Sequence, residues 1–137
     1  MSSLIFLKEL DCGLNLITSL NLSGLVELEY LYCNQNQLTV LDLSGVSNLK
    51  VVECSLNSLT SLDVSQNTAL DFLECSYNQL IILDVSQNIA LKSLHCSNNQ
   101  LNSLDVTQNT VLETLLCYQN QLTSLDLFDK INLILIQ

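Results

Sequence analysis

Six cysteines, Cys12, Cys33, Cys54, Cys75, Cys96 and Cys117, recur every 21 residues without a slip. An unbroken internal period of this size restricts the chain to a stack of like units, because each unit can bury its apolar side only against its neighbours. Two more ladders share the period. One is Asn15, Asn36, Asn57, Asn78, Asn99 and Asn120; the other is Asp42, Asp63, Asp84, Asp105 and Asp126, with Asn21 in the equivalent place of the first unit. The units are 7–27, 28–48, 49–69, 70–90, 91–111 and 112–132, followed by a truncated unit, 133–137. The whole of 1–137 therefore reads as a single domain.

A typical unit runs Leu70-Asp71-Phe72-Leu73-Glu74-Cys75-Ser76-Tyr77-Asn78-Gln79-Leu80 and continues Ile81-Ile82-Leu83-Asp84-Val85-Ser86-Gln87-Asn88-Ile89-Ala90. Leu-x-Cys and Leu-x-Val alternate with period two, as in a strand. Asn, Ser, Thr and Asp fill the gaps and disfavour helix interiors. The pattern predicts two short extended segments per unit, around Leu73–Cys75 and Leu83–Val85, each followed by a turn. One unit offers about six inward apolar side chains, worth roughly 1.5–3 kcal/mol each when fully buried. Ordering its backbone costs roughly 1–2 kcal/mol per residue, which is more. A lone unit cannot fold; stacking buries its two flat faces and pairs its strands at about 4.8 Å.

These residues resemble the leucine-rich-repeat pattern LxxLxLxxNxL, with cysteine in place of the third leucine. The second half, Leu80-x-x-Leu83-Asp84-Val85-x-x-Asn88, nearly repeats the first, and this nesting resembles the bacterial subclass called IRREKO. The resemblance covers residues 7 to 132. It implies a mainly β leucine-rich-repeat solenoid, with two short strands per rung and little or no α-helix. Because the second half looks strand-like too, weak curvature is expected. The resemblance also implies that the asparagine amide is buried against backbone groups of the turn, so that replacing one by leucine costs roughly 1–3 kcal/mol. Bacterial origin and a cell-surface or secreted location are further implications, although the chain carries no signal peptide of its own: Met1–Lys8 lacks a basic segment and its apolar stretch is short.

Composition narrows the partners. Hydrophobic residues make up 48% of the chain, while 14 acidic residues face 4 basic ones, a net charge of −10. This balance argues against nucleic acid and anionic lipid, which need basic patches. No apolar run reaches the roughly 18 residues of a membrane span, so membrane insertion is not expected. No polar capping segment is visible at either end. The chain is therefore expected to be a fragment of a longer protein or to self-associate end to end through uncapped ends.

Chemistry has few footholds. The cysteines lack the close spacing of zinc sites, and one rung apart they stand too far for disulfides, so six free core thiols are expected. His95 and Cys96 are adjacent on a strand and point to opposite faces, which precludes a dyad. With one histidine in the chain, a serine–histidine–acid arrangement is not expected either. The chain reads as non-enzymatic and without a cofactor. Glu53, Glu74 and His95 share an outward column and are weaker metal candidates, against the plainer reading of a solvated acidic face. The Asp42–Asp126 column places like charges about 5 Å apart, a repulsion of roughly 3 kcal/mol per pair at a dielectric near 20. Turn amides or the hydroxyls of Ser65, Ser86 and Thr107 are expected to offset it, with calcium as the functional alternative.

Against a nearly constant framework, variation marks the partner site. By the family resemblance, partners meet the outward residues of the first strand and the turn after it: Tyr30, Tyr32, Val51, Glu53, Phe72, Glu74, Tyr77 and His95. Five of the seven aromatics, Tyr30, Tyr32, Phe72, Tyr77 and Tyr118, lie there. Exposed aromatics are common interface anchors; the competing reading is that they are β-formers packing across rungs. A protein–protein interaction module is expected, with a peptide or glycan ligand as the lesser variant. A structural spacer or assembly repeat in a larger surface protein is the second class.

Overall fold

The computed structural model describes residues 5–128 and 134–135. It contains seven strands: β1 (Glu9–Asp11), β2 (Tyr30–Tyr32), β3 (Val51–Glu53), β4 (Phe72–Glu74), β5 (Ser93–His95), β6 (Thr114–Leu116) and β7 (Ile134–Leu135). They form one parallel sheet in chain order. No helix occurs among the described residues. From β1 to β6 each residue pairs with the one 21 further on, such as Leu73 with Leu94. The central residue of each of β1 to β6 points inward. Leu31, Val52, Leu73, Leu94 and Leu115 are fully buried, as are Cys33, Cys54, Cys75 and Cys96 two residues later. The outer residues of β2 to β6 are half-buried.

The turn after each strand is held by the asparagine ladder. Asn78 donates to the carbonyls of Cys54, Cys75 and Ser76 at 3.1, 3.1 and 3.3 Å, and its Oδ1 accepts the N–H of Leu59 at 3.0 Å. One side chain thus ties its own turn to the rung before. To converge these carbonyls, the chain passes through left-handed backbone at Leu14, Gln35, Leu56, Tyr77, Asn98 and Gln119, with φ between 53° and 57°. That region disfavours L-residues other than Asn and Asp. Replacing exposed Gln35 by glycine is expected to stabilise the protein by about 0.5–1 kcal/mol, while Gln35→Val destabilises it by about 1 kcal/mol or more. Thermal melts of the two variants check this.

The second extended segment differs from expectation, because no strand forms at Leu83–Val85 or its equivalents. The groups that would build a second ladder are engaged locally. Asp84 Oδ1 accepts the N–H of Ser86 at 2.9 Å. The Val85 carbonyl accepts the N–H of Asn88 at 3.0 Å and the side-chain amide of Asn109 at 2.9 Å. An amide side chain replaces the strand contact between rungs. Asn67, Asn88 and Asn109 form this second inner column and are buried, with Val46 in the same slot of the second unit.

The last pairing also departs from the period. Thr114 stands opposite Ile134 and Leu115 opposite Leu135, a step of 20 residues. Leu115 thus pairs one residue earlier than the period of 21 would place its partner. The slot of Asn67, Asn88 and Asn109 holds Lys130 in the sixth unit, but Leu25 and Val46 hold it in the first two, whose rungs keep the step of 21. The rest of the truncated unit, 133 and 136–137, lies outside the described residues.

Candidate functional site

The outward face of β1–β6 carries two columns. Glu9, Tyr30, Val51, Phe72, Ser93 and Thr114 form one; Asp11, Tyr32, Glu53, Glu74, His95 and Leu116 form the other. The sequence-derived partner residues Tyr30, Tyr32, Val51, Glu53, Phe72, Glu74 and His95 thus share one face. They are half-buried against each other, whereas Tyr77, on the adjoining turn, is 49% exposed. Packing across rungs and display to solvent coexist here. Burial, then nearby Glu9 and Glu53, raise the Tyr32 phenol. Burial, then Glu74 and Asp11, raise the Glu53 carboxyl.

At the far end of this face the structure overturns one expectation. His95 Nδ1 lies 2.9 Å from Glu74 Oε2, and Ser93 Oγ lies 3.4 Å from His95 Nε2. The Phe72 and His95 rings meet edge to face at a centroid distance of 5.2 Å and an angle of 78°. A serine–histidine–acid connectivity is therefore present with the chain's one histidine. Ser93 and His95 are two residues apart on one strand and so share a face; parallel pairing in register adds Glu74 from the rung before. Burial pushes the Glu74 carboxyl up, but hydrogen bonds from His95 and Ser76 outweigh it and hold the group below its usual range.

The same contacts correct the metal reading. Glu74 Oε1 accepts the Ser76 N–H at 2.8 Å while Oε2 faces His95. Both oxygens already have partners, and Glu53, Glu74 and His95 do not converge on a common point; no group of three metal-ligating side chains arises among the described residues.

On the opposite edge of each rung, every aspartate of the ladder caps its own turn. Asp42, Asp63, Asp84, Asp105 and Asp126 accept the N–H two residues on at 2.9–3.0 Å, and Asn21 does the same. Hydrogen bonds from Ser44, Ser65 and Ser86 lower the Asp42, Asp63 and Asp84 carboxyls. Turn amides thus offset the like-charge column, as the sequence argument required.

One ladder escaped the sequence reading. The second residue of successive units is Lys8, Glu29, Lys50, Asp71, Lys92 and Glu113, strictly alternating in sign. Glu29 bridges Lys8 at 3.1 Å and Lys50 at 2.6 Å, and Lys92 meets Asp71 at 3.2 Å. Such exposed pairs are worth at most about 1 kcal/mol each, but a slip by one rung would align like charges. The alternation was visible at the 21-residue spacing. Each described lysine has a carboxylate partner, which leaves the surface field acidic. Beside this column Ala69, Ile89, Ala90 and Val111 line an open apolar concavity of about 500 Å³, edged by Lys50, Asp71 and Lys92.

A parallel sheet with one strand per 21-residue rung, an inner asparagine ladder and a leucine core defines the class: the chain is a bacterial-type leucine-rich-repeat protein. It is similar to the functional domain of InlJ from Listeria monocytogenes, described as including a cysteine ladder, with 41% identity and a TM-score of 0.93 over 95% of this chain and 29% of that one. It is also similar to an internalin, inlF, from Listeria monocytogenes, with 27% identity and a TM-score of 0.82 over 88% of this chain and 38% of that one. A leucine-rich-repeat protein of Leptospira interrogans matches at 28% identity and a TM-score of 0.81, over 85% and 32% of the two chains. The chain spans well under half the length of these relatives. No family model and no curated protein matches it. No helix among the described residues is long and apolar enough to cross a membrane.

Proposed function

We propose that this chain is a protein-interaction module that reads its partner with the outward face of its strands. The observation behind this is where the repeat varies. Inner positions stay Leu, Cys, Val and Asn, while the outer slots carry Tyr30, Tyr32, Val51, Glu53, Phe72, Glu74 and His95 on one continuous face. Tyr77 adds an exposed aromatic at its margin. The paired lysines and the net charge of −10 favour a neutral or basic protein surface as partner. A bacterial cell-surface or secreted setting, as in the notion of a surface-displayed repeat, belongs to the same proposal.

The test is a binding screen of the domain against host and bacterial surface proteins and glycans. A parallel screen uses the Tyr30→Ala/Tyr32→Ala/Phe72→Ala variant, after circular dichroism has shown that it folds. The expected result is a protein ligand whose affinity falls at least about 100-fold in the variant, as removal of clustered aromatic anchors does. A ligand bound equally by both would move the site to the Lys50–Val111 concavity or the Asp-lined edge. Absence of any ligand would favour the spacer reading.

A further inference from the structure

Beyond binding, we infer that Ser93 is an activated nucleophile that accepts an acyl group from a carboxylic ester. Three observations support this. Ser93 Oγ is 3.4 Å from His95 Nε2, and His95 Nδ1 is 2.9 Å from Glu74 Oε2. With the Nδ1–H donated to Glu74, Nε2 carries the lone pair and faces the serine hydroxyl; this is the tautomer a general base needs. Second, the imidazole is held rather than free. Glu74 is anchored by the Ser76 N–H at 2.8 Å, the Phe72 ring packs against His95, and the His95 and Glu74 side chains are only 19% and 20% exposed. Third, the hydroxyl lies on an open sheet face, with Phe72 one rung before it and Thr114 one rung beyond in the same column. Phe72 offers an apolar wall for an acyl or aryl group, and the Thr114 hydroxyl is the nearest donor on that column for a developing oxyanion.

The step balances without a co-reactant. Ser93 Oγ attacks the ester carbonyl carbon as its proton passes to His95 Nε2. The tetrahedral adduct collapses, the bond from carbonyl carbon to alkoxy oxygen breaks, and the imidazolium returns the proton to the departing alcohol or to solvent. The products are O-acyl-Ser93 and the alcohol. The backbone N–H of Ser93 is taken by the Asp71 carbonyl at 3.1 Å and that of Thr114 by Lys92 at 3.0 Å. No backbone oxyanion hole of the usual kind forms at these two residues, and such donors are typically a large part of turnover. The reactivity is therefore a single acylation followed by slow release, not rapid hydrolysis.

The experiment exposes the folded protein to p-nitrophenyl acetate, follows nitrophenol release, and maps acetylation by peptide mass spectrometry. Exposed Ser103 and Ser61 serve as internal references. Ser93 is expected to acetylate at least about 100-fold faster than these and to lose that advantage in His95→Gln, the span expected of general-base assistance. Glu74→Gln is expected to fall between the two. The His95→Gln amide can still reach Glu74, so its circular dichroism should match wild type. Equal rates at Ser93 and the reference serines, or an unchanged Ser93 rate in His95→Gln, would overturn the assignment.

Discussion

Asn78→Leu is expected to destabilise the solenoid by about 1–3 kcal/mol, while Asn88→Val is expected to change stability by less than about 1 kcal/mol. Both residues belong to buried asparagine columns, so burial does not separate them. Their hydrogen bonds do. Asn78 Oδ1 is the acceptor for the N–H of fully buried Leu59, and three carbonyls converge on its amide. Leucine there removes four bonds, orphans the Leu59 N–H, and leaves the left-handed turn at Tyr77 without its tie. Asn88 donates to the carbonyls of Val64 and Asn67, but these also accept the N–H groups of Asn67 and Leu70 at 3.0 and 3.1 Å. Its buried Oδ1 has no partner. Valine removes that orphan and leaves both carbonyls bonded, and Val46 already fills the equivalent slot at 0% exposure. Urea unfolding of the two variants decides it: equal losses would mean that the two columns contribute alike and that the hydrogen-bond argument is wrong.

The repeat made the inner face legible. A pair of leucines three apart and a cysteine two residues on specify which side chains meet, because the 21-residue spacing repeats one environment in every rung. The first strand, the buried thiols and the first asparagine ladder follow from that. The second strand did not, because alternation reads only which way side chains point. Whether the backbone then pairs depends on what its carbonyls already accept, and at Val85 those acceptors are occupied by Asn88 and Asn109.

The outer face was legible as a surface but not as chemistry. Glu74 and His95 were placed in one column from spacing alone. Ser93 was not singled out, and counting histidines argued against a relay. What joins the three is parallel register, which brings a carboxylate from one rung beside an imidazole two residues along a strand from a hydroxyl on the next. The alternating lysine–carboxylate column was missed for a simpler reason. Sequence reading compared like residues at the 21-residue spacing, and this column is defined by unlike ones.

The inner thiols carry the second large prediction, a steep loss of stability in alkali. Burial, and after it the neighbouring thiol of the ladder, pushes Cys33 up to about 12, and burial likewise raises Cys54, Cys75 and Cys96. These four are 0% exposed in the fold. In the unfolded chain a thiol titrates near pH 8.5. Between that value and the raised native one, the unfolded state has lost protons that the native state keeps. Stability is therefore fully present below about pH 8.5 and falls as pH rises, by about 1.4 kcal/mol per thiol per pH unit. Four thiols give about 5 kcal/mol per unit above roughly pH 9.5, enough to exhaust the roughly 5–15 kcal/mol of a typical domain within one to three units. Denaturant unfolding between pH 8 and pH 11 measures the slope. Cys54→Ala/Cys75→Ala lowers the starting stability by leaving cavities, so the slope rather than the midpoint is the readout, and it should be shallower than wild type by about 2.7 kcal/mol per pH unit. Tyr32, Cys12 and Cys117, which burial also raises, are present in both proteins and cancel in that difference. An identical slope in the double variant would show that the ladder's thiols ionise within the folded stack, and would remove burial as the reason for their raised values.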